Sequence, residues 1–499
     1  MGCKKAHVAS KGNGMTASDA GWRFDNTYAR LPEQLATRVE PGPVRAPRMV
    51  VFNGALAEQL GLAGSLHDAA PIFAGNALPH GAEPIAQAYA GHQFGHFTNL
   101  GDGRAILLGE QLTLSGERFD IQLKGSGRTR YSRSGDGRAA LGPMLREYLI
   151  SEAMHGLGIP TTRSLAVAAT GDVVMREKPL PGAILTRVAK SHVRVGTFQL
   201  AAALGDRTLQ ETLLNYVIAR HDPELADVSE PAVALLEAVA ERQASLVARW
   251  MLVGFVHGVM NTDNMAISGE TIDYGPCAFL DVYDPATVFS SIDQQGRYAY
   301  ANQPAIAQWN LARLAESLLP LVDGDEQQAV DRVRGVLERF AERYKTHYAA
   351  GAAAKLGLAE VREGDEALFR SLLTQMHEAH ADFTATFAAL PRLLEEAGPT
   401  SCLPPGFTPT WREAWLRRLA DEGAQQEAAK GRMRLANPLV IPRNHHVEEA
   451  LAAAEIGEMQ PFHRLLAAVS QPFQQSADHA AYRLGPPAGS GPYRTFCGT

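Results

Sequence analysis

The fold follows from the stretch His257-Gly-Val-Met-Asn-Thr-Asp-Asn-Met-Ala-Ile-Ser-Gly-Glu-Thr-Ile-Asp-Tyr-Gly275. Residues 265–267 and 271–272 are short apolar runs on either side of Ser-Gly, which predicts two strands joined by a turn. An asparagine precedes this hairpin and an aspartate follows it, so the side-chain oxygens of both can reach a single hard cation. We therefore predict a catalytic loop, a short hairpin and a metal-binding turn.

The spacing of this stretch matches that of the protein-kinase catalytic loop at the first and last residues of the loop. His257 and Asn264 fall where kinases carry the first and last residues of that loop, and Asp273-Tyr-Gly275 replaces Asp-Phe-Gly. The kinase base position, however, is Val259, which cannot accept a proton. The nearest carboxylate is Asp263, so we predict nucleotide chemistry with altered geometry. The alternative is a buried strand pair with incidental polar residues, and the convergence of four polar residues in one short segment argues against it.

The composition is that of a soluble globular protein with two or three domains, or with one large two-lobed unit. The 499 residues are 45% hydrophobic and 20% charged. No run of about 18 apolar residues exists and the N-terminus has no secretory signal, so we expect no membrane partner. Four cysteines in so long a chain indicate a reducing, cytoplasmic location, and a net charge of −7 argues against nucleic-acid binding.

A glycine-rich turn and a strand that carries a lysine come before the catalytic stretch. Gly101-Asp-Gly-Arg104 leads into the apolar run 105–108, and residues 119–124 alternate apolar and polar side chains, as a half-buried strand does. Lys124 ends that strand and opens a loop to Arg138 with four arginines and four glycines. Glycines let backbone N–H groups approach an anion, and each arginine can donate two hydrogen bonds to phosphate oxygens. We therefore predict that this loop forms a phosphate cradle. A solvated basic loop and an RNA-contacting loop are the alternatives.

A helix over residues 142–155 follows the basic loop and offers two glutamates as partners for Lys124. Glu147 and Glu152 are both candidates for this ion pair, which would hold the lysine against phosphates. A surface glutamate is the alternative interpretation for each of them.

The other predicted elements are strands before residue 190 and helices after it. The predicted strands cover 164–168, 173–176 and 183–188, and the last of them carries Arg187 ahead of a loop with Lys190, His192 and Arg194. The pattern turns helical from Gly196, and a long helix is predicted to begin near Pro231. Further helices are predicted over 306–321, 325–348, 365–390 and 411–429. His92 and His96 lie four residues apart, but neighbouring glycines weaken a helix there, so we predict packing or hydrogen bonding rather than metal binding.

These residues together resemble the selenoprotein O family of kinase-like proteins over nearly the whole chain. The most specific motifs are Gly91-His-Gln-Phe-Gly-His96, Asn99-Leu-Gly-Asp-Gly-Arg104, Leu123-Lys-Gly-Ser-Gly127, Arg146-Glu-Tyr148 and His257–Gly275. The resemblance implies an α+β, protein-kinase-like two-lobed fold with a mixed β/α N-lobe, a mainly helical C-lobe and a helical C-terminal extension. The implied divisions are a flexible tail at 1–20, the N-terminal region and N-lobe at 21–195, the C-lobe at 196–350, and the extension at 351–499.

The resemblance also implies protein adenylylation, in which AMP passes from ATP to Ser, Thr or Tyr hydroxyls of protein substrates with the help of Mg²⁺ or Mn²⁺. The positions that match the family's nucleotide contacts are Gly101, Gly103, Arg104, Lys124, Asp136, Gly137, Arg187, Arg194 and Asp273. Glu147 matches the partner of the lysine, Asp263 the proposed base, and Asn264 and Asp273 the metal ligands. Kinase-type phosphoryl transfer and a catalytically dead, nucleotide-sensing pseudokinase are the alternatives. The sequence leaves open whether UTP can replace ATP.

Two cysteines suggest a redox pair. Cys277 follows the Asp-Tyr-Gly motif by two residues, and Cys497 lies in the tail where many eukaryotic members of the resembled family carry selenocysteine. We hypothesise that a Cys277–Cys497 disulfide fastens the tail and lowers activity. Two unrelated thiols are the alternative, which the reducing compartment favours.

Overall fold

The computed structural model describes residues 20–62, 66, 69–322, 325–394, 407–423, 425–487, 489–491 and 493–495. Within these ranges an antiparallel sheet occupies most of the first 190 residues and helices dominate thereafter, which confirms the α+β class. The predicted tail at 1–20 lies outside the described residues except for Ala20. None of the described helices combines the length and the apolar character needed to cross a bilayer.

The strands form one large sheet and two small ribbons. They are β1 (Ala36–Arg38), β2 (Arg48–Phe52), β3 (Ile85–Gln87), β4 (Ala90–Gln93), β5 (His96–Asn99), β6 (Ala105–Leu112), β7 (Arg118–Lys124), β8 (Ala139–Ala140), β9 (Arg163–Met175), β10 (Pro179–Ala189), β11 (Phe255–Val256) and β12 (Ala278–Phe279). The sheet has eight strands in the order β1-β3-β6-β7-β10-β9-β2, with β8 paired to β10. The ribbons are β4–β5 and β11–β12.

The helices lie mainly after the sheet. They are α1 (Gly54–Gln59), α2 (Ala70–Phe73), α3 (Leu141–Gly156), α4 (Val195–Ala203), α5 (Arg207–His221), α6 (Pro231–Val253), α7 (Gln303–Leu318), α8 (Glu326–Lys355), α9 (Asp365–Glu378), α10 (Phe383–Leu393), α11 (Pro409–Asp421), α12 (Gln426–Ala436), α13 (Asn444–Glu455) and α14 (Gln460–Val469). The predicted helix over 365–390 is two helices, because the side chain of Asp382 accepts a hydrogen bond from Ala385 N–H and begins a new one.

The two faces of β7 are both buried. Ile121 and Leu123 point into an apolar core shared with α1 and α2, and Asp120, Gln122 and Lys124 point the other way, since side chains alternate along a strand. The prediction of a half-buried strand is therefore wrong in one respect: its polar face is buried too. That face is covered by the helical part of the chain, which supplies charged partners for it.

Arg220 on α5 fastens the helical part to the sheet. Its guanidinium donates to Glu110 on β6 and, at 2.8 Å, to Asp120 on β7. The Arg220 side chain is only 4% exposed and both carboxylates are buried. The Nδ1 atom of His192 lies 3.0 Å from the other oxygen of Asp120. Because buried carboxylates need a cation, this contact fixes how the helices sit against the polar face of β7.

The predicted hairpin over 265–272 does not form. Val195 N–H donates to the Met265 carbonyl, and Thr162 N–H donates to the carbonyl of Thr271. Each extended run therefore pairs as an isolated bridge with a distant segment instead of with the other run. The strand pair that frames the catalytic stretch is β11–β12, one strand on each side of it.

The break between the strands predicted over 164–168 and 173–176 is also absent. β9 continues through it to Met175, and Gly171 adopts a φ of +72° next to Ala46, where a Cβ atom would clash. The glycine thus marks an irregularity within a strand, and the chain reverses only after Met175.

We predict that Arg220→Met lowers the free energy of unfolding by about 3 kcal/mol, because Glu110 and Asp120 stay buried after they lose the cation that they share. The matched control is Arg207→Met on the same helix, whose side chain is 61% exposed and pairs with Glu211. That control should change stability by less than about 0.5 kcal/mol. Urea unfolding of both variants measures the difference, and equal midpoints would contradict the role given to Arg220.

Candidate active site

A buried carboxylate on α3 holds two cations of the sheet. Glu147 Oε2 accepts a hydrogen bond from Lys124 Nζ at 2.7 Å, and Glu147 Oε1 accepts one from Arg187 Nε at 2.7 Å. Asp273 Oδ1 accepts from the same lysine and lies 3.4 Å from Arg187 NH2. Two cations and two carboxylates thus form one network, which we call the central ion cluster.

The strand register explains why the two cations meet. Lys124 on β7 lies opposite Leu185 on β10, and Gln122 lies opposite Arg187. Lys124 and Arg187 are therefore diagonal neighbours on one face of the sheet. α3 packs across β9 and β10 and brings Glu147 between them.

The choice between the two glutamates of α3 is settled by their partners. Glu152 accepts hydrogen bonds from the guanidinium of Arg163 at 2.7 and 2.8 Å and from Asn53 at 2.9 Å. It therefore anchors α3 to the start of β9, and Glu147 alone reaches Lys124.

Asp273 is held ionised in an unusual backbone conformation. Its φ is +67°, a left-handed value that non-glycine residues seldom adopt. Burial favours the neutral carboxyl, but Lys124 and Arg187 outweigh it and hold the pKa of Asp273 well below its ordinary value. The side chain is still 31% exposed, so one edge of it remains open.

The segment that follows β11 is braced by buried hydrogen bonds. The His257 imidazole bonds through Nε2 to the Ile272 carbonyl at 2.9 Å, which ties it to the residue before Asp273. Burial lowers the pKa of His257, so the ring is neutral. Asn264 donates its amide N–H to the Val259 carbonyl at 3.1 Å. The valine at the kinase base position is buried and contributes only backbone to the site.

Asp263 has the environment of a proton acceptor. Its carboxylate is buried, and Oδ1 has no hydrogen-bond partner among the described residues. Burial raises the pKa of Asp263 to about 6, against the opposing effect of Arg194. Gly91 on β4 packs on this carboxylate so closely that a Cβ atom there would lie 2.4 Å from Oδ1.

The residues predicted from the sequence surround one cavity of about 320 Å³. Its wall includes every predicted nucleotide contact, together with the predicted base and metal ligands: Gly101, Gly103, Arg104, Lys124, Asp136, Gly137, Arg187, Arg194, Asp263, Asn264 and Asp273. Glu147 stands behind this wall and lines an adjoining cavity of about 470 Å³. The structure thus brings together residues more than 170 positions apart in the sequence.

The basic loop contributes less to the cavity than predicted. Of its four arginines only Arg138 reaches the wall. Arg128 and Arg133 instead donate to the backbone carbonyls of Arg133 and Asn99. The loop folds over the glycine turn, where a Cβ atom on Gly101 would lie 2.4 Å from the ring of Tyr131. The glycine is therefore needed for close packing of turn and loop.

The sequence analysis did not identify Tyr89, Asp102 and Arg176 as residues of the cavity wall. Arg194 lies over the ring of Tyr89, with its guanidinium carbon 4.3 Å from the ring centre. Its NH2 nitrogen lies 3.6 Å from Oδ1 of buried Asp102. The guanidinium of Arg176 donates to both carboxylate oxygens of Asp136, at 2.9 and 3.2 Å. The Asp136 carboxylate at the cavity wall therefore has a cation as its partner. The Gly101-Asp-Gly-Arg104 motif was interpreted only as a glycine-rich turn. Its aspartate, Asp102, was the residue that could have indicated a partner for an arginine.

Asn264 and Asp273 suit a hard divalent cation. The amide oxygen of Asn264 and Oδ2 of Asp273 accept no hydrogen bond from any described residue, and both side chains line the cavity. Such oxygen ligands are those that Mg²⁺ prefers. No group of three His, Cys, Asp or Glu side chains exists in the described ranges that could hold a metal. A cation here would complete its shell with water and phosphate oxygens.

Of the two cysteines in the redox hypothesis, Cys277 lies within the described residues. Cys277 is buried and free, and burial raises the pKa of its thiol to about 12. Cys497 lies outside the described residues. The pairing therefore stays a hypothesis.

Comparison with known proteins identifies relatives along the whole chain. A family model described as protein adenylyltransferase SelO matches residues 20–470. The chain is 58% identical over 485 residues to protein nucleotidyltransferase YdiU of Geobacillus kaustophilus, which covers 96% of this chain and all of that relative. It is 56% identical to the proteins of that name from Syntrophotalea carbinolica and Brevibacillus brevis, covering 97% and 96% of this chain and 99% and 98% of theirs. The chain therefore belongs to the SelO family of protein adenylyltransferases.

Proposed function

We propose that this chain transfers AMP from ATP to Ser, Thr or Tyr hydroxyls of other proteins, with Mg²⁺ or Mn²⁺ bound beside the nucleotide. Family membership makes it a nucleotidyltransferase. The observation that carries the finer proposal is Asp263, a buried carboxylate that lines the charged cavity and whose Oδ1 has no partner among the described residues. A base so placed gives a hydroxyl acceptor somewhere to deliver its proton.

We further propose a kinase-like, two-lobed arrangement. Its support is the order of functional groups along the chain: a glycine turn, Lys124 on a strand, Glu147 on a helix, then Asn264 and Asp273. The division between lobes near residue 195 falls where α4 begins. We place the second division after α8, because that helix continues through residue 350 to Lys355. The low cysteine content supports a cytoplasmic location.

The positive wall of the cavity suits a triphosphate. Arg104, Lys124, Arg187 and Arg194 all line it, and the central ion cluster fixes two of them. Donors held in place before the substrate arrives stabilise charge without rearrangement during the reaction. A divalent cation held by Asn264 and Asp273 would neutralise charge on the leaving pyrophosphate.

The reaction follows from this arrangement. The acceptor hydroxyl gives its proton to Asp263 while its oxygen attacks the α-phosphorus. The bond from that phosphorus to the oxygen bridging the β-phosphate breaks, and pyrophosphate leaves with the bonding electrons. Lys124 and Arg187 stabilise the negative charge that grows on the leaving group.

The labelled phosphate of ATP tests the proposed function. Protein substrates, and the chain itself, should become labelled from α-³²P-ATP and should stay unlabelled from γ-³²P-ATP. The opposite pattern would make the chain a kinase. No label from either nucleotide, with ATP still bound, would make it a pseudokinase.

We predict that transfer depends on pH through Asp263. The group acts as a base only when ionised and its pKa is raised to about 6, so kcat/KM should fall as pH drops below that value and level off above it. Asp263→Asn should lower the rate by about 100-fold or more and remove this dependence. ATP binding by the variant, measured by calorimetry, is the control. A variant that keeps the wild-type pH profile would show that the base lies elsewhere.

We predict unequal effects of two neighbouring glutamates. Glu147→Gln should lower kcat by about 100-fold, because Lys124 and Arg187 lose their shared carboxylate. Glu152→Gln on the same helix is the matched control, since its carboxylate binds Arg163 and Asn53 away from the cavity. It should reduce thermal stability while keeping kcat within about threefold. Similar kcat losses in both variants would indicate that α3 acts only as a structural element.

A further inference from the structure

The β4–β5 ribbon projects from the site beside the base. Gly91 packs on the Asp263 carboxylate. His92 N–H donates to Thr262 Oγ1 at 2.7 Å, and Phe94 N–H donates to Asn261 Oδ1 at 3.0 Å. The ribbon is thus bonded along its length to the catalytic segment, and its outer side chains hold a fixed position relative to Asp263.

The ribbon carries an aromatic surface that continues onto α7. Phe97 lies edge-on to His92 at 5.3 Å between ring centres, and His92 lies edge-on to Trp309 at the same distance. The guanidinium carbons of Arg297 and Arg313 lie 4.7 and 4.9 Å from the centre of the Trp309 ring. Phe97 is 47% exposed, although a large apolar side chain is usually buried. We call these five residues the ribbon surface.

The two arginines of this surface differ in their partners. Arg313 forms an ion pair with Glu316 at 2.5 Å. Arg297 forms no ion pair with any carboxylate in the described part of the chain, and its guanidinium carbon would lie only 3.9 Å from a Cβ atom on Gly95 at the tip of the ribbon. A guanidinium stacked on an indole ring keeps its edge available for a planar carboxylate. Within the described part of the chain, the ribbon surface therefore offers one cation without a carboxylate partner next to an exposed aromatic ring.

We propose that the ribbon surface binds the acceptor protein, with Arg297 bonding to an acidic residue of the acceptor and Phe97 contacting an apolar one. This inference rests on the proposed function, because it assumes that the accepting hydroxyl arrives at Asp263. Gly91 touches the proposed base and Gly95 lies near Arg297, so the ribbon path between the two sites is four strand residues long, about 14 Å. An extended acceptor spans that distance with its acidic residue about four positions from the hydroxyl.

Three acceptor peptides test this inference on the full-length chain. Each carries one serine, with glutamate, glutamine or lysine at the fourth position on both sides of it. With α-³²P-ATP, the wild type should label the glutamate peptide with a kcat/KM about tenfold above that of the glutamine peptide, and should label the lysine peptide least. Arg297→Glu should reverse the order of the glutamate and lysine peptides through KM, leaving the KM for ATP unchanged.

Two further variants keep the test independent of a single substitution. Phe97→Ser should raise KM for all three peptides by about threefold or more and leave the KM for ATP unchanged. Arg334→Glu, an exposed arginine on α8 paired with Asp331, is the charge-matched control and should keep the wild-type order.

The outcomes separate this inference from the proposed function. If the wild type labels neither itself nor any peptide from α-³²P-ATP, both fail. If it labels itself but no peptide, only the acceptor surface is overturned. If it labels all three peptides equally, and Arg297→Glu changes nothing, only the acceptor surface is overturned. A wild-type dimer in light scattering that Phe97→Ser dissociates would assign the ribbon surface to a second copy of the chain and would equally overturn the inference.

Discussion

The bond between Glu147 and the two cations of the sheet is the constraint on which the rest of the site depends. Burying the Glu147 carboxylate against β7 and β10 without a cation would cost free energy of folding. Burying Lys124 and Arg187 without that carboxylate would cost it too. Together they stabilise one another. Burial alone would raise the pKa of Glu147, but Arg187 and Lys124 outweigh it, and the pKa lies below its ordinary value. α3, the sheet and the Asp-Tyr-Gly turn are therefore held in one geometry before any nucleotide binds.

This cluster divides two carboxylates of one cavity into different chemical roles. Asp273 touches Lys124 and Arg187, so its pKa is held low and it can serve as a permanent anion for a metal. Asp263 lies apart from the cluster, and burial raises its pKa to about 6, so it can take and release a proton. Two carboxylates whose surroundings push their pKa values apart are typical of acid–base and electrostatic roles in one site. The proposed base thus lies four residues after Val259, and the proposed metal-binding positions are kept.

The sequence predicts local features of this site well and long-range contacts poorly. Alternation and order along the chain predict β7, Lys124 and α3, and the family resemblance adds the residues around the cavity. The residue pattern alone could not separate Glu147 from Glu152, and only the family resemblance indicated Glu147. The distinction depends on contacts of Glu152 with Arg163 and Asn53, which lie outside α3. Residues 265–272 were predicted to pair with each other, since apolar runs indicate extended backbone but not its partner. The β4–β5 ribbon was missed because its glycines were weighed only against a helix, although the Phe94-Gly95 turn has the left-handed φ values of a two-residue hairpin.

The central claim is that the chain uses these groups to cut ATP between its α and β phosphates. Phosphorus NMR of a reaction with ATP, a divalent cation and a protein acceptor observes that bond directly, because each cleavage yields a different soluble product. The account predicts pyrophosphate in equal amount to the modified acceptor. Accumulation of ADP in step with acceptor modification would contradict it.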